Sequence, residues 1–241
     1  MNTGDRIRIE QEGLTASLKS VLEVVILAIF IVTFIVQPFR IPSGSMEPTL
    51  RIGDFVLVDK QALGPSRGLE RLLLPSQQLK RGDLVVFRYP DHPSLYMVKR
   101  VVGLPADWIQ MRAGQVWING LRLAEPYAFY SPSRPNGFRD DFPSLLEADP
   151  DVSLRWWIWL RSAVVAGRIQ VPPRQYFVLG DNRNDSEDSR YWGFVPQSQI
   201  VGRPLLVYFT LPMTPDSHRG SLPGRLWKRL QTGVRSWRIL R

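Results

Sequence analysis

No cysteine occurs in the 241 residues, so disulfides, thiolate nucleophiles and cysteine-ligated zinc are excluded together, and the redox compartment is left open. Histidine is nearly missing too. His92 sits in an Asp91-His92-Pro93 turn and His218 in the C-terminal segment, so a histidine-based triad is poorly supplied. From Ser217 onward there is no acidic residue, while Arg219, Arg225, Lys228, Arg229, Arg235, Arg238 and Arg241 give that tail seven positive charges. A net charge of +9, less the +7 of the tail, leaves about +2 for everything before it. No basic surface for reading nucleic acid is indicated, and no nucleic-acid partner is expected.

What is present describes a folded chain with one long apolar run. A hydrophobic share of 44% and a charged share of 22% are those of a globular protein, and 20 prolines with 18 glycines count against a helical bundle. Val21 to Val36 is interrupted only by Glu23 and Thr33, and with Leu18 and Phe39 at its flanks it approaches the roughly 20 residues that cross a bilayer. Arg6, Arg8 and Lys19 precede it and Arg40 follows, a weak bias that places the N-terminus inside. A cleaved leader would want a small-x-small site after the run, whereas Gln37-Pro38-Phe39-Arg40 follows. A buried core helix is the other alternative. In the tail, Leu222, Leu226, Leu230, Val234 and Trp237 fall on one helical face, which predicts an amphipathic helix on an anionic membrane surface, with a disordered tail as the alternative.

Beyond Arg40 the pattern changes to short apolar runs at Phe55–Val58, Leu84–Phe87, Met97–Val98, Val116–Ile118, Tyr176–Leu179 and Leu205–Phe209, separated by Gly-Asp, Asn-Gly and Pro turns. Strands of this length and spacing predict a mostly β domain. Glu125 to Arg174 is rich in Pro, Arg and aromatics without a clean period, and reads as an inserted lobe of irregular structure. Trp156-Trp157-Ile158-Trp159-Leu160 within it is too short to span a membrane and reads as a core strand or helix.

Acyl transfer needs a nucleophile, a base and donors for the oxyanion. Gly64-Pro65-Ser66-Arg67-Gly68 has the letters of a nucleophile elbow, but its polar, Pro- and Gly-rich surroundings lack the strand and helix that motif requires. Ile41-Pro42-Ser43-Gly44-Ser45-Met46-Glu47-Pro48-Thr49-Leu50 follows the apolar run directly. Its prolines restrict the backbone, Gly44 permits close approach, and the two hydroxyls flanking Gly44 could supply an attacking group and an oxyanion donor. Leu95 to Asp107 then places Lys99 in an apolar strand. Strand alternation points Lys99 and Arg100 opposite ways, so only one of them is expected to be buried. A buried lysine loses hydration of its charged form and becomes a usable base near neutral pH, whereas a surface lysine does not. Gly180 to Pro196 forms a third segment, rich in Asp, Asn and Ser, in which Arg183 and Arg190 favour a loop held by Asp-Arg pairs over a cation site.

Together with Gly53 to Lys60 and Arg81 to Phe87, these segments resemble type I signal peptidase, a membrane serine protease that works with a Ser/Lys dyad. The resemblance implies a mostly β, antiparallel-sheet catalytic domain behind an N-terminal transmembrane helix, with an inserted irregular or β lobe. It assigns 1–17 to a cytoplasmic tail, 18–38 to the transmembrane helix, 39–216 to an extracytoplasmic catalytic domain with its insert at about 125–174, and 217–241 to the basic tail. Carried over by residue, it makes Ser45 the nucleophile and Lys99 its general base. The oxyanion donors are Ser43 and the Ser45 N–H, and Ser186 orients the lysine. Asp181, Arg183, Asp188 and Arg190 form the ion-paired scaffold, while Phe39, Ile41, Leu50 and Val98 wall the substrate pockets. Met97 stands where a tyrosine is often seen. The implied reaction removes signal peptides from preproteins after a small-x-small sequence, with neither metal nor cofactor, at a plasma (inner) or thylakoid-type membrane, by a monomer. Soluble Ser-Lys proteases are the neighbouring alternative, which the apolar run and the lack of a helix-turn-helix oppose; a catalytically inert module binding exported peptides is the other.

Overall fold

The structure, a computed structural model, describes residues 3–30, 36–60, 78–146, 149–211 and 237–240. The chain divides into two compact units, Met1–Gln37 and Pro38–Arg241. The first contains one helix, α1 (Thr3–Phe30), whose apolar residues from Leu18 to Phe30 are exposed. The helix begins fifteen residues before the expected 18–38 span and does not continue to its end, because Val36–Arg40 is a strand, β1. Pro38 accounts for the change, since it disfavours the helical conformation at the residue before it and cannot donate its own backbone hydrogen bond. Among the described residues no helix is long and apolar enough to cross a membrane. The Gly64–Gly68 motif and residues 217–236 of the tail lie outside the described residues.

The second unit is built from antiparallel strands. The main sheet runs in the order β1, β2 (Asp54–Asp59), β11 (Ile200–Thr210), β3 (Leu84–Arg88), β4 (Tyr96–Gly103), β9 (Gln175–Leu179) and β10 (Val195–Pro196). All six apolar runs read from the sequence become strands, five of them in this sheet. The eleven residues of β11 serve two neighbours, pairing Ile200 and Gly202 with β3 and Arg203 to Thr210 with β2. At the changeover Gly202 is required by packing, because a β-carbon there would fall 2.1 Å from the Asp59 carbonyl oxygen.

β1 and β4 are four places apart in this order, roughly 19 Å in a flat sheet with strands about 4.8 Å apart. The rings of Phe39 on β1 and Tyr96 on β4 nevertheless lie 5.2 Å apart, so the sheet coils strongly upon itself. Residues with apolar side chains cover both of its faces. Leu84 and Val86 of β3 enter one core with Ile41, Met46, Leu50, Val56, Val58 and Val207, while Val85 and Phe87 enter the other with Val101, Phe142, Phe177 and Trp192.

A second sheet holds β7 (Leu121–Arg122), β6 (Gln115–Ile118), β5 (Trp108–Arg112) and β8 (Ile169–Gln170) in that order. The 125–174 segment is more regular than expected. Its described residues include two helices, α2 (Gly137–Asp140) and α3 (Leu154–Ala163). In α3 the Trp-rich run places Trp156 and Leu160 on one face, where they are buried, and Trp156 meets Phe194 edge to face at 5.2 Å. The last described residues depart from the helix expected for the tail, since β12 (Arg238–Ile239) pairs with Leu206 and Val207 of β11. Arg238 reaches the buried carboxylate of Asp54, which holds this short strand against the sheet.

Candidate active site

The Ser45 segment is a tight turn pinned at both ends. Ile41 donates to the Asp54 carbonyl at 2.8 Å and accepts from Gly53 at 2.9 Å, which closes the loop between β1 and β2. Within it Gly44–Met46 forms a 3-10 turn, anchored by the buried Met46 side chain and by the Leu50 N–H, which donates to the Met46 carbonyl at 2.9 Å. The Asn182 N–H donates to the Ser45 carbonyl at 3.1 Å, so the third segment of the sequence holds the first. The hydroxyls of Ser43 and Ser45 are 3.5 Å apart.

Lys99 arrives from β4 and donates to Ser45 Oγ at 2.5 Å, across 54 positions of sequence. Its side chain is inside the protein, with the residue only 2% exposed. Burial pushes the ammonium down to about 8, against the opposing pull of Asp188 and with a smaller push from Arg190. Arg100 is also buried, at 3%, which corrects the expectation that only one of the pair would be. Alternation does send the two opposite ways, but both faces of this sheet are covered, so neither direction leads to water.

Three buried ion pairs hold the third segment beside the dyad. Arg190 donates to both Asp188 oxygens at 2.8 Å, and its Nη2 donates to the Arg183 carbonyl at 2.8 Å. Burial alone would raise the Asp188 carboxyl; Arg190 and the Gly180 N–H at 3.0 Å outweigh it and hold the group below the usual carboxylate range. The other two scaffold residues find partners outside the segment. Asp181 binds Arg100 through Nε at 2.7 Å and Nη2 at 2.6 Å, and accepts from the Thr49 hydroxyl at 2.6 Å. Arg183 clasps Glu125 at 2.9 and 2.6 Å. Thr49, Arg100 and Glu125 were not singled out from sequence, where nothing links residues so far apart beyond complementary charge.

Ser186 lines the same cavity as Lys99, yet its hydroxyl is buried without a hydrogen-bond partner among the described residues and makes no hydrogen bond to the lysine nitrogen. A cleft of about 360 Å³ opens on the other flank of the dyad, lined by Phe39, Ile41, Val86, Tyr96, Met97 and Val98. Three of the four expected pocket residues therefore border it. Leu50 does not: it is fully buried in the core beside Met46 and Val56. The family resemblance places it among the pocket walls, but the turn directs that side chain inward.

A family model described as signal peptidase, peptidase S26, matches residues 14–209. A signal peptidase I of Pseudomonas fluorescens is 36% identical over 212 residues, covering 83% of this chain and 74% of its own. A signal peptidase I of Pseudomonas aeruginosa is 34% identical over 223 residues, covering 85% and 75%. A probable signal peptidase I-2 of Synechocystis is 34% identical over 212 residues, covering 83% and 78%.

Proposed function

The chain belongs to the signal peptidase family of S26 peptidases, which are serine endopeptidases, and from that membership we propose that it removes N-terminal signal peptides from preproteins by a Ser45/Lys99 dyad. The observation that carries this reading is the 2.5 Å contact between Lys99 Nζ and Ser45 Oγ, made by a lysine whose burial lowers it to about 8. An amine so placed spends a useful fraction of its time neutral near physiological pH, and only the neutral form can accept a proton.

In the reaction, neutral Lys99 takes the Ser45 proton as Oγ attacks the carbonyl carbon of the scissile bond. The carbonyl π electrons move to oxygen, where Ser43 Oγ and the Ser45 N–H donate to the oxyanion, each donor worth roughly 3–4 kcal/mol in the transition state. The intermediate collapses with loss of the amine, which leaves carrying the proton from Lys99. Water then attacks the Ser45 ester with Lys99 again as base, and the released acid restores the hydroxyl. The buried pairs of Asp188 with Arg190 and Asp181 with Arg100 fix the loop and strand on which the dyad depends.

Small-x-small selection fits the cleft bordered by Phe39, Ile41 and Val98, since in an extended substrate the first and third residues before the cut face the same way. We assign membrane attachment to the apolar Leu18–Val36 region, with the catalytic unit outside; sharing a bilayer with tethered preproteins raises effective concentration. The test is cleavage of a model preprotein by the full chain in detergent, compared with Ser45→Ala and Lys99→Met. Both variants should lose cleavage. Continued processing by Ser45→Ala would overturn the assignment, and a wild-type chain that binds the preprotein without cutting it would favour an inert module.

A further inference from the structure

The acidic flank of the dyad has no part in the reaction as described. A second cleft of about 430 Å³ is lined by Ser45 and Lys99 together with Asp151, Asp185, Ser186 and Glu187. We propose that this cleft binds the two or three residues that follow the scissile bond, and that it selects basic over acidic side chains there. The proposal rests on the reading of Ser45 as nucleophile.

Three observations carry it. First, the two clefts share Ser43, Ser45, Met97, Lys99 and Glu187 and otherwise draw on different elements, the apolar one on β1 and β4, the acidic one on the loop after β9 and on Asp151. A chain whose residues before the cut occupy the apolar cleft leaves Ser45 by the other, and at about 3.3 Å per residue its second and third residues lie within roughly 10 Å of the nucleophile. Second, Asp151, Asp185 and Glu187 are exposed and make no side-chain hydrogen bond or ion pair among the described residues. With Lys99 neutral in its attacking form, these carboxylates set the sign of the local field, and a recess concentrates that field. Third, Ser186 is nine-tenths buried and lines this cleft, and its hydroxyl, covered by the protein, has no hydrogen-bond partner among the described residues. Buried polar groups are nearly always paired, and rotation of this hydroxyl toward a substrate backbone amide in the cleft would supply what is missing. Asp151 comes from the 125–174 segment, so that segment contributes to substrate choice and does more than pack against the sheet.

The experiment uses the full chain in detergent at low ionic strength and substrates identical up to the cut, with Lys, Ala or Glu at the second and third positions after it. The ratio of kcat/KM for the Lys over the Glu substrate should be about tenfold, and should shrink toward one at high salt. The Asp151→Asn/Asp185→Asn variant should show most of the same shrinkage at low salt, and Asp151→Asn alone a part of it; both positions are exposed, and melting curves verify folding. A ratio near one in the wild type, or one unchanged in the double variant, overturns the proposal provided cleavage still requires Ser45. Cleavage that no longer requires Ser45 would instead overturn the reading beneath it, and this inference with it.

Discussion

A β-carbon on Gly180 would lie 2.5 Å from the carbonyl oxygen of Ser45 and 2.2 Å from Ser186 Oγ. Gly180 is thus the point where the loop after β9 presses directly on the backbone of the serine turn. Its Cα hydrogen occupies space that no side chain can share. Gly180→Ala is therefore expected to shift Ser45 away from Lys99 and to cost about 1–3 kcal/mol in unfolding free energy. Activity should fall by a larger factor, about a hundredfold, because displacements near 1 Å at a reacting atom carry such a penalty. Paired melts and kinetics check this; a fully active variant would show that the turn relaxes freely.

The lowered lysine gives a pH profile with a definite sign. The neutral amine is the active form, so kcat/KM should rise with pH through about 8 and gain about tenfold between pH 7 and pH 9. A profile already flat at pH 7 would place the titration elsewhere.

The same group links pH to stability in the same sense as a paired carboxylate, because its folded value too lies below its unfolded one. Between the folded value of about 8 and the ordinary 10.5, the unfolded chain binds more protons, so the native state gains as pH rises through that window. Lys99→Met lacks this titration. Relative to that variant, the wild type should gain about 3 kcal/mol of stability between pH 8 and pH 10.5, measured by denaturant unfolding.

Leu50 and Glu125 separate packing from chemistry. Leu50→Ala should destabilise the fold by about 2–5 kcal/mol while leaving the preference for small residues before the cut unchanged, since the side chain is in the core. Val98→Ala, which borders the apolar cleft, should widen that preference in a substrate panel.

Glu125→Ala strands the Arg183 guanidinium in the interior, a loss of about 3–5 kcal/mol, and adding Arg183→Ala should recover part of it. Additive losses would mean that the clasp is not the unit it appears from its bidentate geometry.

Local pattern carried the strands well. Runs such as Leu84–Phe87 and Tyr176–Leu179 are apolar at every position, as strands covered on both faces are, and turn residues bound them. A Ser-Gly-Ser turn and a lysine in an apolar strand are each weak signals alone, and Ser45 and Lys99 stand out only through the ordered set of segments that resembles type I signal peptidase. What escaped notice depends on the third dimension. Arg100 looked like the wet neighbour of Lys99 until Asp181, 81 positions away, supplied its carboxylate. Leu50 is a pocket wall by the resemblance, whereas the turn, which no local pattern records, sends its side chain into the core. Arg238 joins Asp54 across 184 positions, and no spacing within the tail records that attachment.

The long strand β11 has a consequence for the dyad it never touches. Its early residues align β3, and through β3 the strand of Lys99; its later residues align β2, at the foot of the serine turn. Deleting a single residue near Leu205 would slide one half past the other by about 3.4 Å and invert the side chains beyond it. Every motif would survive in such a chain, and nucleophile and base would still be parted. Competence here is a matter of alignment between two halves, and the gauge that sets it lies at a distance from the chemistry.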